Sequence, residues 1–157
     1  MRRAALSRPL ALRTLVCLAA LLGTPARAGE PAAFAIIVGP EVPVHHLSLA
    51  EAARIFERKQ TVWSDGHRIH PVNLPPADPT RRQFSLTVLG RPPEALGAYW
   101  RERYFHGVLP PHVLASENAV RMFVAGTPGA IGYVAACLPP PPLRAVLTVG
   151  ALPDCKP

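Results

Sequence analysis

Five consecutive apolar residues, Phe34-Ala35-Ile36-Ile37-Val38, stand directly before Gly39-Pro40. A run this short, rich in branched side chains and closed by two residues that interrupt regular structure, reads as a β-strand. Side chains alternate between the two faces of a strand, and here both faces are apolar, so both must be covered. The run therefore belongs in the interior of a sheet, with other elements packed on it.

The segments that follow supply those elements. Ser48-Leu49-Ala50-Glu51 is a capping box, in which the serine side chain accepts a backbone N–H while Glu51 reaches back to the serine amide. A helix is expected from there to about Lys59, with Leu49, Ala52, Ala53 and Phe56 at helical spacing. Ser64-Asp65-Gly66 marks a turn, and residues 68–74 form a second strand candidate, weakened by Pro71, which has no N–H for a ladder. After the break at Pro75-Pro76, Asp78 suits an N-cap and Pro79 the first helical position, with Phe84 and Val88 on one face and Gly90 as the stop. Leu96, Trp100 and Tyr104 mark a further helix ending near His106-Gly107, and residues 108–115 contain a short strand. Ser116 caps a helix bearing Val120, Phe123 and Val124, which Gly126 is expected to end in the left-handed conformation. Pro128-Gly129 fits the centre of a type II turn. A strand, Ala130–Val134, follows, with Gly132 admitting a close neighbour, and Arg144–Val149 is the last strand candidate. Strands alternating with capped helices predict an α/β fold, a mixed sheet flanked by helices.

The amino end reads as an export signal. It has a basic start without acids, an apolar core around Leu15-Val16-Cys17-Leu18, and Ala26-Arg27-Ala28 as the cleavage site. A membrane anchor needs roughly 17–25 continuous apolar residues, more than this core provides. The expectation is a cleaved signal over 1–28, no stable membrane span afterwards, and one domain over 29–157 in the periplasm. Five of the 17 lysines and arginines and none of the 10 acids lie in that leader, leaving 12 against 10, a net charge of +2. With no basic cluster interleaved with aromatics, nucleic-acid binding is set aside. Of three cysteines, Cys17 leaves with the leader. An oxidising compartment favours a Cys137–Cys155 bridge over two free thiols.

Catalytic and metal chemistry find little support. The serines suit caps, turns and helix surfaces, none lies in a Gly-x-Ser-x-Gly elbow, and no pair of carboxylates stands in a recognisable acid/base frame. His45-His46 and the pair His67 and His70 are the only close histidines, and nothing is spaced to complete a tetrahedral site. Neither a metal nor a cofactor is expected. Trp63, Trp100 and Tyr104 suit core packing better than a ligand groove, with Trp63, beside the Asp65-Gly66 turn, the more exposed tryptophan.

Read in order, Leu47-Ser48-Leu49-Ala50-Glu51 with Ile55-Phe56, Trp63-Ser64-Asp65-Gly66, Ile69-His70-Pro71-Val72, Arg82-Gln83-Phe84 and Thr127-Pro128-Gly129-Ala130-Ile131-Gly132-Tyr133-Val134 resemble the phosphate-binding proteins of ABC transporters, in particular short exported members of that superfamily. The resemblance runs from about Phe34 to Val149. It implies a single periplasmic-binding-protein-like lobe, the part that follows the hinge in the two-lobed receptors. It also implies a non-catalytic module and an anion site at the helix start, where free N–H groups and the helix dipole favour an oxyanion. Aligned on Pro71-Val72 and Phe84, Leu74 stands at the family's arginine, Pro76 at its aspartate and Asp78-Pro79-Thr80 at its Ser-Gly-Thr run, so only Thr80 is kept. Arg81 and Arg82 are placed to compensate, since an arginine fork pairs well with phosphate or carboxylate. The implied ligand-binding residues are thus Thr80, Arg81 and Arg82. The implied partners are a small oxyanion such as phosphate and an ABC permease. The alternative is a lobe that has lost its ligand and serves as a protein-interaction part of an envelope assembly.

Overall fold

The computed structural model describes residues 33–135 and 141–150. The expected strand is β1 (Phe34–Val38), with every residue buried. There follow α1 (Leu49–Phe56), β2 (His70–Asn73), α2 (Pro79–Leu89), a 3-10 turn (Pro93–Ala95) and α3 (Leu96–Phe105). β3 (His112–Val113), α4 (Glu117–Gly126), β4 (Ala130–Val134) and β5 (Arg144–Val149) complete the described elements. The five strands form one mixed sheet in the order β3-β2-β4-β1-β5. β1 runs antiparallel to β4 and β5, whereas β2 is parallel to β3 and β4. As its composition requires, β1 lies in the interior of the sheet.

The expected caps are in place. Ser48 and Glu51 exchange hydrogen bonds at the start of α1, the serine amide donating to Glu51 Oε2 at 2.8 Å and the Glu51 amide to the serine hydroxyl at 3.2 Å. Asp78 caps α2 with Pro79 in its first turn, and Gly90 closes it at φ 68°. The Thr127–Ala130 turn is closed by the Ala130 amide on the Thr127 carbonyl, with Gly129 at φ 75°.

Helices cover both faces of the sheet. A Cβ on Gly132 would stand 2.5 Å from Val120 Cγ1, so α4 lies directly on β4 at this point. The next residue, Tyr133, points the other way, and its ring stacks on Phe84 of α2 with centroids 3.9 Å apart and planes 3° from parallel. Phe34 of β1 meets both rings edge-on, and Phe56 of α1 meets Phe84 edge-on and Tyr133 at a tilt. This aromatic cluster fixes α2 against the sheet and thereby sets where its amino end lies.

Several expectations are corrected. Gly126 is not left-handed; α4 runs through it and ends at Thr127 in extended conformation, because Gly129 supplies the positive φ this connection needs. α1 ends at Phe56, and the chain leaves it through Arg58 at φ 58°. Trp63 is only 3% exposed, its indole N–H donating to the Gly129 carbonyl at 3.1 Å, whereas Trp100 is half-buried. On α3 only Leu96 is buried, and Tyr104 is 63% exposed. Pro71 lies within the sheet after all. The His70 amide points to β4, donating to the Gly129 carbonyl, so the position without a donor faces the other side, where pairing with β3 begins one residue later at Val72.

Candidate functional site at the start of helix α2

β2 ends at Asn73, and the chain turns through residues 74–78 into α2. An α-helix begins with backbone N–H groups that have no partner inside the helix. Here Asp78 supplies one: its Oδ1 accepts from the Thr80 amide at 2.8 Å and the Arg81 amide at 3.2 Å. Pro79 has no N–H to offer, and the Arg82 amide donates to the Asp78 carbonyl at 3.0 Å. The first-turn amides expected to face an anion are therefore engaged within the chain.

A second carboxylate closes the site from α4. Glu117 Oε1 accepts from the Thr80 hydroxyl at 3.1 Å and from the Ala135 amide at 2.9 Å. Its other oxygen lies 3.9 Å from Arg121 Nη2, one helical turn on. Glu117 thus ties the start of α2 to the end of β4.

The candidate residues separate. Thr80 and Arg81 are buried together at the inner side of α2, while Arg82 is exposed and paired with Glu94 at 2.8 Å. That contact holds the Glu94 carboxyl below the usual carboxylate range. Arg81 is 7% exposed and has no carboxylate partner among the described residues. Its Nη1 donates to the Tyr133 hydroxyl at 3.4 Å, and its Nε is buried without a partner. The Tyr133 hydroxyl also accepts from the Leu74 amide at 3.2 Å and donates to Asn73 Oδ1 at 3.3 Å. Burial pushes this phenol above its ordinary pKa, and the Arg81 charge opposes the shift, so the group stays protonated and can serve both neighbours.

Glu117, Tyr133 and Asn73 belong to this site although the chain's local patterns do not mark them. Glu117 follows a cap, Tyr133 lies in an apolar strand, and each meets its partner only through the fold. Cys137 and Cys155, like the expected leader over 1–28, lie outside the described residues. Among the described residues no group of three or more His, Cys, Asp or Glu is placed to hold a metal ion, and no helix is long and apolar enough to cross a membrane. His67 pairs with Asp65 at 3.0 Å, and His45 Nδ1 lies 3.1 Å from Arg144 Nη1.

Comparison with solved structures identifies the architecture. A protein from Clostridium perfringens described as a phosphate ABC transporter substrate-binding protein, solved with bound phosphate, matches with a TM-score of 0.59 at 24% identity, over 74% of this chain and 46% of that one. The fold is that of the phosphate receptors. An ABC-type phosphate transport receptor from Vibrio cholerae matches with a TM-score of 0.50 at 18% identity, over 74% of this chain and 46% of its own. PstS from Borrelia burgdorferi matches with a TM-score of 0.51 at 15% identity, over 66% and 44%. This chain spans a little under half the length of the receptors it matches. No family model matches the chain, and neither does any curated protein sequence.

Proposed function

We propose that this chain is a non-catalytic, phosphate-receptor-type module of the cell envelope in which the protein's own carboxylates stand in for the anion. Its output is then contact with another envelope protein. One observation carries the reading: Asp78 Oδ1 holds both the Thr80 and Arg81 amides, the groups an oxyanion would otherwise use. A phosphate entering there would meet the charge of Asp78 at close range and that of Glu117 beside it, and repulsion between like charges opposes its entry.

A second reading, in which the site holds phosphate for delivery to an ABC permease, is favoured by Arg81. A buried guanidinium with only a neutral partner is costly, and an incoming oxyanion would offset that cost. The two readings separate in a phosphate titration followed by the amide resonances of Thr80, Arg81 and Arg82. Saturable shifts there, abolished by Arg81→Gln, would establish the receptor reading. Silence at these amides, with a partner recovered by crosslinking in the envelope, supports the carboxylate-occupied module.

A further inference from the structure

The opposite end of β2 carries a different balance of charge. A cavity of about 380 Å³ lies between the end of α1, the 61–68 segment and the 107–109 turn, lined by Arg58, Thr61, Val62 and Arg68 and by residues 107–109. No Asp or Glu lines it. Neither Arg58 nor Arg68 is paired with a carboxylate among the described residues, and Arg103, whose Nη2 donates to the Arg58 carbonyl at 3.3 Å, is not paired either. The volume is in the range of small-molecule sites, roughly 300–1,000 Å³. A neighbouring cavity of about 310 Å³ shares Arg58 and Leu109 and is walled by Pro110, Pro111 and Phe123.

Arg58 is held there against three costs. Its backbone lies at φ 58°, where glycine is relaxed and other residues are strained. The position is the left-handed residue of a Schellman motif, since the Lys59 amide donates to the Arg54 carbonyl and the Arg58 amide to that of Ile55. Its Nε is buried without a partner, and its Nη1 has only the Ile69 carbonyl at 3.3 Å. Burial, with a smaller contribution from the charge of Arg68, holds the guanidinium below its ordinary pKa. A glycine would close the same motif with less strain, whereas an anion in the cavity would offset the burial and the like-charge repulsion.

We propose that this cavity binds a small organic anion, its phosphate or carboxylate group held by Arg58 and Arg68 and its carbon skeleton set against Val62 and Leu109. Two arginines lining one cavity without a carboxylate suit an oxyanion, which a planar fork can grip with paired hydrogen bonds. The apolar wall selects an organic anion over inorganic phosphate.

The test is calorimetric titration of the full chain, at low ionic strength, with phenyl phosphate, benzoate and inorganic phosphate, combined with resonance mapping. Saturable binding is expected for phenyl phosphate or benzoate, with inorganic phosphate weaker. The amides of Thr61 and Leu109 should shift while those of Thr80 and Arg81 stay still. Which of the two organic probes binds more tightly assigns the headgroup. Arg58→Gly, which suits the local φ, and Arg68→Gln, at an exposed side chain, should each weaken binding about tenfold or more, the scale of a lost charge-assisted hydrogen bond. No heat with any of the three anions, unchanged affinity in both variants, or shifts confined to Thr80 and Arg81 would each overturn the proposal. The last of these results would also reverse the reading of the α2 site, whereas the first would leave that reading standing.

Discussion

Replacing Asp78 tests whether a carboxylate of this chain occupies the anion position of its own fold. Asp78 Oδ1 accepts from two first-turn amides, at 2.8 and 3.2 Å, so the substitution removes both bonds and a negative charge at the positive end of α2. Loss of an N-cap to alanine costs about 1 kcal/mol, and loss of a charge favourable to the helix dipole costs about 0.3–1 kcal/mol more. Asp78→Ala should therefore lower stability by about 1.5 kcal/mol. Asp78→Gly should lower it less, because glycine is itself a tolerated cap. Both variants leave the Thr80 and Arg81 amides without their acceptor. If phosphate then binds, a concentration ten times its Kd stabilises the native state by about 1.4 kcal/mol, enough to offset most of the loss in the alanine variant. The assay is urea denaturation of wild type and both variants in phosphate, against chloride at matched ionic strength. The expected result is a midpoint that rises with phosphate more in the variants than in wild type, which cancels any contribution from anion binding elsewhere. Variants that respond to phosphate no more than wild type would refute the substitution of carboxylate for anion.

Three further outcomes are expected. Gly132→Ala should destabilise by about 1–3 kcal/mol through overpacking, because its Cβ would stand 2.5 Å from Val120 Cγ1 and 3.0 Å from Val72 Cγ2; co-substitution of Val120 by alanine should recover part of the loss in a thermal melt. Tyr133→Phe strips the shared partner from the Leu74 amide, Asn73 and Arg81 and should cost about 1–3 kcal/mol. Because burial raises this phenol in the folded state, its contribution is fully present below the ordinary tyrosine value of about 10 and is lost as pH rises through the folded value; the alkaline decline should therefore be shallower in the variant. Intact mass of protein recovered from a periplasmic fraction should correspond to a chain beginning at Gly29, two mass units below the fully reduced form, and alkylation before reduction should leave Cys137 and Cys155 unmodified.

The parts of the fold legible in the sequence are those decided over four or five residues. Ser48 with Glu51, Asp78 with Pro79, and Pro128 with Gly129 each satisfy a local rule of backbone geometry, and each sits where that rule puts it. Gly126 fits its rule equally well, yet a second glycine three residues on takes the positive φ, and nothing local decides between them. Trp63 shows the same limit. Its neighbours Ser64-Asp65-Gly66 are exposed, but the ring packs in the core, where a carbonyl 66 residues away accepts its N–H. The site was half legible for this reason. Asp78 was readable as a cap, but that the cap would consume the amides expected to bind an anion depends on which amides its oxygen reaches. Glu117 meets Thr80 across 37 residues and Tyr133 meets Arg81 across 52, distances at which sequence spacing carries no information without the fold.

The two ends of β2 show how placement of charge, not its total, decides what the lobe can hold. At the Asn73 end, two carboxylates lie among the donors, and the arginine that remains is nine-tenths buried, beyond the reach of an ion that has not already entered. At the His70 end, the cavity has arginines and no acid, and Arg68 stands exposed at its rim. An exposed charge attracts an anion over roughly a Debye length, about 10 Å at 0.1 M salt, and the half-buried Arg58 lining the same cavity then holds the ion in a less polar setting. Attraction at Arg68 should therefore weaken with added salt while the contact to Arg58 weakens less. The salt dependence of affinity in Arg68→Gln should accordingly be flatter than in the unaltered chain, and an equal slope in both would show that Arg68 takes no part in drawing the anion in.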